Sequence, residues 1–281
     1  MSNKSLHTRW QLALLALAAT IGITGCGGNI EMAGVGSGGT GVYKASYTAS
    51  LDASVKSSYL INAVVFLDNN SNYQLDNNEP YAVTGVDGSC VLDAPAADRA
   101  LYPVIAVAFK GVTIDSANML PVTNTYVLST PRSALDATGK TILINPISSQ
   151  LRELLETGRY SSTQQAMDAL ASHLGLPPDV NLLAENIAHN NPALNAAAKS
   201  IAALMWMQTK RILTPGAVTP SVDIERYRAM MKLIDDNMNI VSRLNTPENL
   251  LNLNKNIDAI LWAMPQKETT PLIGHSALQP P

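Results

Sequence analysis

The sequence predicts an α+β protein: a small antiparallel β-sandwich followed by a separate α-helical bundle. Two observations carry this. From about residue 43 to about 143, short β-prone runs alternate with turn signals. After Asn145 the punctuation changes to helix caps and apolar spacings near 3.6 residues. Composition agrees, because 46% apolar residues against 15% charged ones can bury a core in a chain of 281 residues.

The organisation then reads from the amino terminus as a leader over 1–25, a tether over 26–42, the β domain over 43–143, the helical domain over 144–264 and a tail over 265–281. In the leader, Lys4 and Arg9 precede an apolar run over 12–23, long enough for a signal segment but short of the roughly 18 to 20 residues that cross a bilayer. The run ends in Ile23-Thr24-Gly25-Cys26. Residues 27–41, GGNIEMAGVGSGGTG, hold too few large apolar side chains to pack and read as a flexible tether. No strand leads into them and no Gly-Lys-Ser/Thr follows, which excludes a phosphate loop.

Strands are expected over 61–67, 89–92, 102–109 and 123–128, with Asp87-Gly88 supplying a tight hairpin turn. The first helix should open at Pro146, carry the stripe Ile147, Leu151, Leu154 and Leu155, and stop at Gly158. A second should run from a Ser162-Thr163-Gln164-Gln165 capping box through Met167, Leu170 and Leu174 to Gly175 and the Pro177-Pro178 pair. A third starts at Asn191-Pro192 and places Leu194, Ile201, Leu204, Met205 and Ile212 on one side. Two more are expected over 222–244 and 247–264, the last capped by Thr246, with a shorter helical segment over 180–189. The proline-rich tail has nothing to bury and is expected to be disordered.

One segment, Asp68-Asn69-Asn70-Ser71-Asn72-Tyr73-Gln74-Leu75-Asp76-Asn77-Asn78-Glu79, has chemistry in its spacing. Asp68, Asn70, Asn72 and Asp76 place side-chain oxygens at the first, third, fifth and ninth positions. Gln74 stands at the seventh, where a backbone carbonyl serves, and Glu79 at the twelfth. Calcium is a hard cation that takes six to eight oxygens, and alternate residues of a turning loop aim at one centre while a distant glutamate closes the shell. Tyr73 stands where that pattern requires glycine, and only Asp68, Asp76 and Glu79 carry charge. Any affinity is therefore expected near the millimolar end, with Ca²⁺ as a structural staple. The bland reading is a solvated turn, in which Asn and Asp serve local hydrogen bonds.

Other candidates are thin. Cys90, in an apolar stretch, reads as a buried small hydrophobe. His173, His189 and His275 form no metal-ligand pair at helical spacing. Glu153 and Glu156 could make an acid-base pair but read as a solvated face opposite the leucine stripe. Met205-Trp206-Met207 reads as core and interface packing. No nucleophile elbow, His-Glu-x-x-His or dinucleotide fingerprint is present. The chain is net −3, and its leader holds two basic residues and no acid, leaving −5, so nucleic acid is not an expected partner.

The basic start, apolar run and Ile23-Thr24-Gly25-Cys26 resemble the bacterial lipobox. That resemblance implies cleavage before Cys26, diacylglyceryl and fatty-acyl (palmitate-type) groups on Cys26, and, because Gly27 follows, an outer-membrane destination. Residues 63–92, with Asp-x-Asn-x-Asn, Asp-x-x-Glu-Pro and Asp-Gly-Ser, resemble calcium-loop β-sandwich modules of bacterial surface proteins, of the B-type and transthyretin-like kind. Leu143-Ile144-Asn145-Pro146-Ile147-Ser148-Ser149-Gln150-Leu151 with Leu174-Gly175-Leu176-Pro177 looks like the junction and first helices of bacterial lipoproteins that join such a module to a helical domain. The expected role is non-enzymatic binding or scaffolding in the cell envelope. Its expected contacts are the membrane, through the lipid, and a protein or polysaccharide of the envelope. The alternative is a periplasmic hydrolase or carbohydrate-processing enzyme whose site is assembled from distant residues.

Overall fold

A computed structural model describes residues 42–49, 59–95, 98, 101–132, 142–177, 180–183, 191–216, 218–242 and 246–265. The leader, Cys26 and nearly all of the tether, with residues 184–189 and the tail after Pro265, lie outside them.

The described chain is a mixed α+β protein with several small, mainly antiparallel sheets and seven helices. Strand β1 (Val42–Ala49) begins inside the stretch read as tether and was not foreseen as a strand. It lies between β5 (Ser89–Pro95), to which it is antiparallel, and β10 (Ile142–Ile144), to which it is parallel, with Tyr47 opposite both Cys90 and Ile142. The parallel pairing departs from the purely antiparallel expectation. Its cause is topological: β10 returns beside β1 after a crossover longer than any hairpin.

A second sheet has the order β4 (Tyr81–Val83), β3 (Val64–Leu67), β6 (Val104–Ala108), β9 (Tyr126–Thr130). β3 and β6 are buried at every position, which fits their unbroken apolar runs. The strand expected over 61–67 is interrupted at Asn62, whose φ of 61° turns the chain out of β2 (Leu60–Ile61). β2 joins a small third sheet with β7 (Ile114–Asp115) and β8 (Leu120–Pro121).

The Asp87-Gly88 turn is present but does not close a hairpin within one sheet; it carries the chain from β4 in the second sheet to β5 in the first. Gly88 has φ 71°, and a Cβ there would stand 2.5 Å from Tyr59 Cβ, so glycine answers two demands at once.

Helix α1 (Pro146–Glu156) opens as predicted, with Asn145 accepting from Ser148 N and Ser148 returning the bond to Asn145 N. It ends before Gly158, at φ 70°. In α2 (Thr163–His173) the expected capping box is half made. Ser162 Oγ accepts from Gln165 N, but the Gln165 side chain reaches back to Ser161 instead.

The long third helix breaks at Gln208 into α3 (Pro192–Met207) and α4 (Thr209–Ile212). A two-strand hairpin, β11 (Leu213–Thr214) with β12 (Ser221–Val222), follows. It displaces the start of the helix expected at 222. That helix begins at Ile224, capped by Asp223, as α5 (Ile224–Asp236), and breaks at Asn237 before α6 (Met238–Val241). α7 (Pro247–Ala263) is capped by Thr246 as expected.

Buried apolar residues of strands and helices form one continuous cluster, from Tyr47, Phe66 and Leu128 through Ile147 and Leu151 to Met230 and Ile257. The expectation of a separate core for each half therefore meets a shared one. α1 is the element between: all nine residues from Pro146 through Leu154 are buried, so it is enclosed on every side rather than along a stripe. Its Ser149 Oγ accepts from Ser129 N of β9 at 2.9 Å, Ser148 Oγ donates to Ser129 O at 2.6 Å, and its Gln150 side chain donates to Met231 O of α5 at 2.8 Å.

Candidate functional site: the 68–79 loop and its helical socket

The loop leaves β3 at Leu67 and returns at Pro80, whose carbonyl accepts from Leu67 N at 3.0 Å. Five of its six expected ligands fall into two groups, and Gln74 enters the loop's bonding through its backbone N–H. Asn70 and Asn72 both donate their side-chain Nδ2 to Asp76 Oδ2, at 2.7 and 3.0 Å, so three of the six meet at one point. Their own Oδ1 atoms face inward, Asn70 Oδ1 accepting from Asn72 N and Asn72 Oδ1 from Gln74 N, in the local turns that Asn favours.

Asp68 and Glu79 are instead spent on the frame. The Glu79 carboxylate accepts from Asn69 N at 2.7 Å and Asp76 N at 3.0 Å, clamping the two ends of the loop together. Asp68 accepts from Asn72 N and Tyr73 N at 3.0 and 3.2 Å. Burial raises the Asp68 carboxyl above its usual range, opposed by the charge of Arg152 and by these bonds. Glu79 is raised for the same first reason.

Tyr73 occupies the glycine position and adopts the conformation a glycine would, with φ 62°. A bulky residue accepts that cost only when its surroundings over-determine it. They do so here, because the Tyr73 side chain is fully buried in a socket made by the helices. Its ring lies under the Arg152 guanidinium, whose Cζ is 3.9 Å from the centroid, and against the Tyr227 ring at 5.2 Å. Its hydroxyl donates to Glu153 Oε1. Two residues on, Leu75 N donates to Thr219 Oγ1 at 2.8 Å.

Around this plug runs an ion-pair network. Arg152, fully buried, donates Nη2 to Asp68 Oδ2 at 3.1 Å and Nε to Glu156 Oε1 at 2.6 Å. Arg228 of α5 reaches Glu156 Oε2 at 2.8 Å and stands 3.5 Å from Glu153 Oε2. Burial opposes the Arg152 charge, yet Tyr73, Glu156 and Asp68 together hold its pKa above the ordinary value. Burial also raises Glu153 and lifts Tyr73 well above the usual phenol.

The reading of Glu153 and Glu156 as a solvated face is corrected for Glu153, which is 3% exposed; Glu156 is exposed as expected, and both pair with arginines. Sequence reasoning did not place Arg152, Arg228 or Tyr227 at this site. A charged side chain on a helix carries no local sign that its outer face will be covered.

The remaining candidates fall elsewhere. Cys90 is buried with its thiol pushed up to about 12, as expected of an inert small hydrophobe. His173 Nδ1 lies 3.2 Å from Asp235 Oδ1, and Arg159 holds the other oxygen at 3.0 Å, which ties α2 and the turn before it to α5. Of the Met205-Trp206-Met207 run read as core and interface packing, Met205 is packed in the core and Trp206 is exposed.

As they stand, the side chains that converge in the loop turn amide nitrogens, not oxygens, toward Asp76. Asn70, Asn72 and Asp76 converge, and rotating the two amides would present oxygen in place of nitrogen, at the expense of their inward turn bonds. Among the described residues no three His, Cys, Asp or Glu side chains group as a metal cluster, and no helix is long and apolar enough to cross a membrane. No family model, curated protein or solved structure matches the chain.

Proposed function

We propose that this chain is a lipid-anchored protein of the bacterial cell envelope, held by acyl groups on Cys26 and directed to the outer membrane. Its role is non-enzymatic: it presents a β-sandwich and a docked helical bundle to an envelope protein or polysaccharide. The 68–79 loop serves as the joint between them and as a weak, structural calcium site. One observation supports this most: Arg152, Asp68 and Glu153, the innermost charged residues at the loop, are enclosed and bonded to neighbouring protein groups. Arg152 and Asp68 are 0% exposed and Glu153 only 3%. Groups so committed hold elements together, whereas catalytic groups must meet a substrate.

The ordered signal features and the lipobox cysteine support the anchor, since several acyl chains at about 0.8 kcal/mol per buried methylene give stable attachment. Cys26→Ser should abolish incorporation of a fatty-acid probe and move the protein out of the detergent phase; continued labelling would refute the anchor. For the loop, calcium at about 100 times its Kd should stabilise the fold by roughly 2.7 kcal/mol. A melt indifferent to millimolar calcium, with no calorimetric heat, would leave it a polar joint alone.

A further inference from the structure

The loop's leading carboxylate already has a cation. Arg152 comes from α1, 84 positions along the chain from Asp68, and delivers Nη2 to Asp68 Oδ2 at 3.1 Å, with both side chains closed to solvent. Its placement is over-determined: Glu156 holds Nε, and Tyr73, the loop's own sixth residue, lies flat beneath the guanidinium. The remaining nitrogen, Nη1, is buried without a hydrogen-bond acceptor. Two of its three nitrogens thus find acceptors, on Asp68 and Glu156, and the ring of Tyr73 covers the guanidinium face.

We propose that Arg152 is a tethered counter-ion of the 68–79 loop, supplying the positive charge that a divalent cation would otherwise bring to Asp68. This rests on the reading that the loop accepts such a cation. Two positive groups at one buried carboxylate repel strongly where water is excluded. Cation binding at Asp68 and the seating of α1 on the loop therefore compete. By linkage, each weakens the other by the same factor. Arg152 sets the loop's cation affinity low and lets the loop close without metal.

The test uses the full mature chain in detergent, with Tb³⁺ luminescence sensitised by Tyr73 and competition by Ca²⁺. Arg152→Gln should bind Tb³⁺ and Ca²⁺ at least about ten-fold more tightly than the wild type, the reciprocal of the coupling removed. Arg152→Lys keeps a charge but loses the planar fork, and should bind about three-fold more tightly. Arg159→Gln, in the separate Asp235 cluster, should not change affinity. Equal affinity in wild type and Arg152→Gln would overturn the counter-ion role while leaving the loop a cation site. Absence of binding in every variant would remove the cation reading itself. Circular dichroism follows folding in parallel. An Arg152→Gln chain that folds only when calcium is added supports the proposal. If it stays unfolded in calcium, the Lys variant carries the comparison, and an affinity equal to the wild type's overturns it.

Discussion

Arg152 and Tyr73 face each other across the junction of sheet and helix, guanidinium over ring at 3.9 Å, with the tyrosine in a left-handed backbone conformation. The strained residue and the buried charge are each costly alone. Together they enclose one another: the ring covers the guanidinium, and the socket holds the ring where its backbone must turn.

Tyr73→Phe keeps the ring in place and removes the hydroxyl that Glu153 Oε1 accepts from. A buried carboxylate oxygen left without its donor costs about 1–3 kcal/mol. Urea unfolding should show that loss as a lower midpoint at unchanged slope; an unchanged midpoint would mean the bond contributes nothing net.

Glu153→Gln should reveal what the buried carboxylate does to pH dependence. Burial raises the folded-state pKa of Glu153 above its usual 4.5, so the folded state binds this proton more readily than the unfolded one. The stability this group contributes is fully present below about 4.5 and is lost as pH rises through the folded value. The melting temperature of Glu153→Gln relative to wild type should therefore be highest above the folded-state pKa and decline as pH falls through it towards 4.5. A difference that grows on acidification would reverse the assigned sign.

Gly88→Ala meets both a positive φ and a Cβ placed 2.5 Å from Tyr59 Cβ, whereas Gly111→Ala meets a positive φ of 75° with open space around it. Conformational strain alone costs about 1–3 kcal/mol, and Gly88→Ala should exceed Gly111→Ala by the clash it adds. Thermal melts of the two variants side by side check this, and equal losses would show that the Asp87-Gly88 turn shifts away from Tyr59.

A fragment over 139–266 should lose cooperative melting, because α1 would expose the faces that Ser129, Tyr73 and Asp68 cover in the whole chain. Calorimetry on the fragment decides. A sharp transition would restore the two independent halves that the change of hydrophobic period suggests.

The sequence announces what is local. The helix starts at Pro146, Ser162, Asn191 and Thr246 were readable because one side chain and the next turn decide them. The loop's spacing was readable for the same reason. What stayed hidden is non-local. Nothing near Val42 says that β1 will pair in parallel with Ile142–Ile144, and the apolar stripe of α1 conceals that Arg152 and Glu153, on its other side, are covered as well. Tyr73 is the instructive case: its position promised either strain or another route for the backbone, and the strain is accepted because residues from α1 and α5 build a socket for it.

β1 also has a mechanical consequence. It is the first described strand, and it lies parallel to β10, which leads straight into α1. Tension drawn between the amino-terminal segment and the helices pulls on opposite ends of this parallel pair, so its hydrogen bonds are loaded in shear and resist collectively instead of opening one after another. The antiparallel β5 on the other flank doubles the grip on the same strand. A chain hauled from its amino terminus would thus give way late and abruptly, at β1.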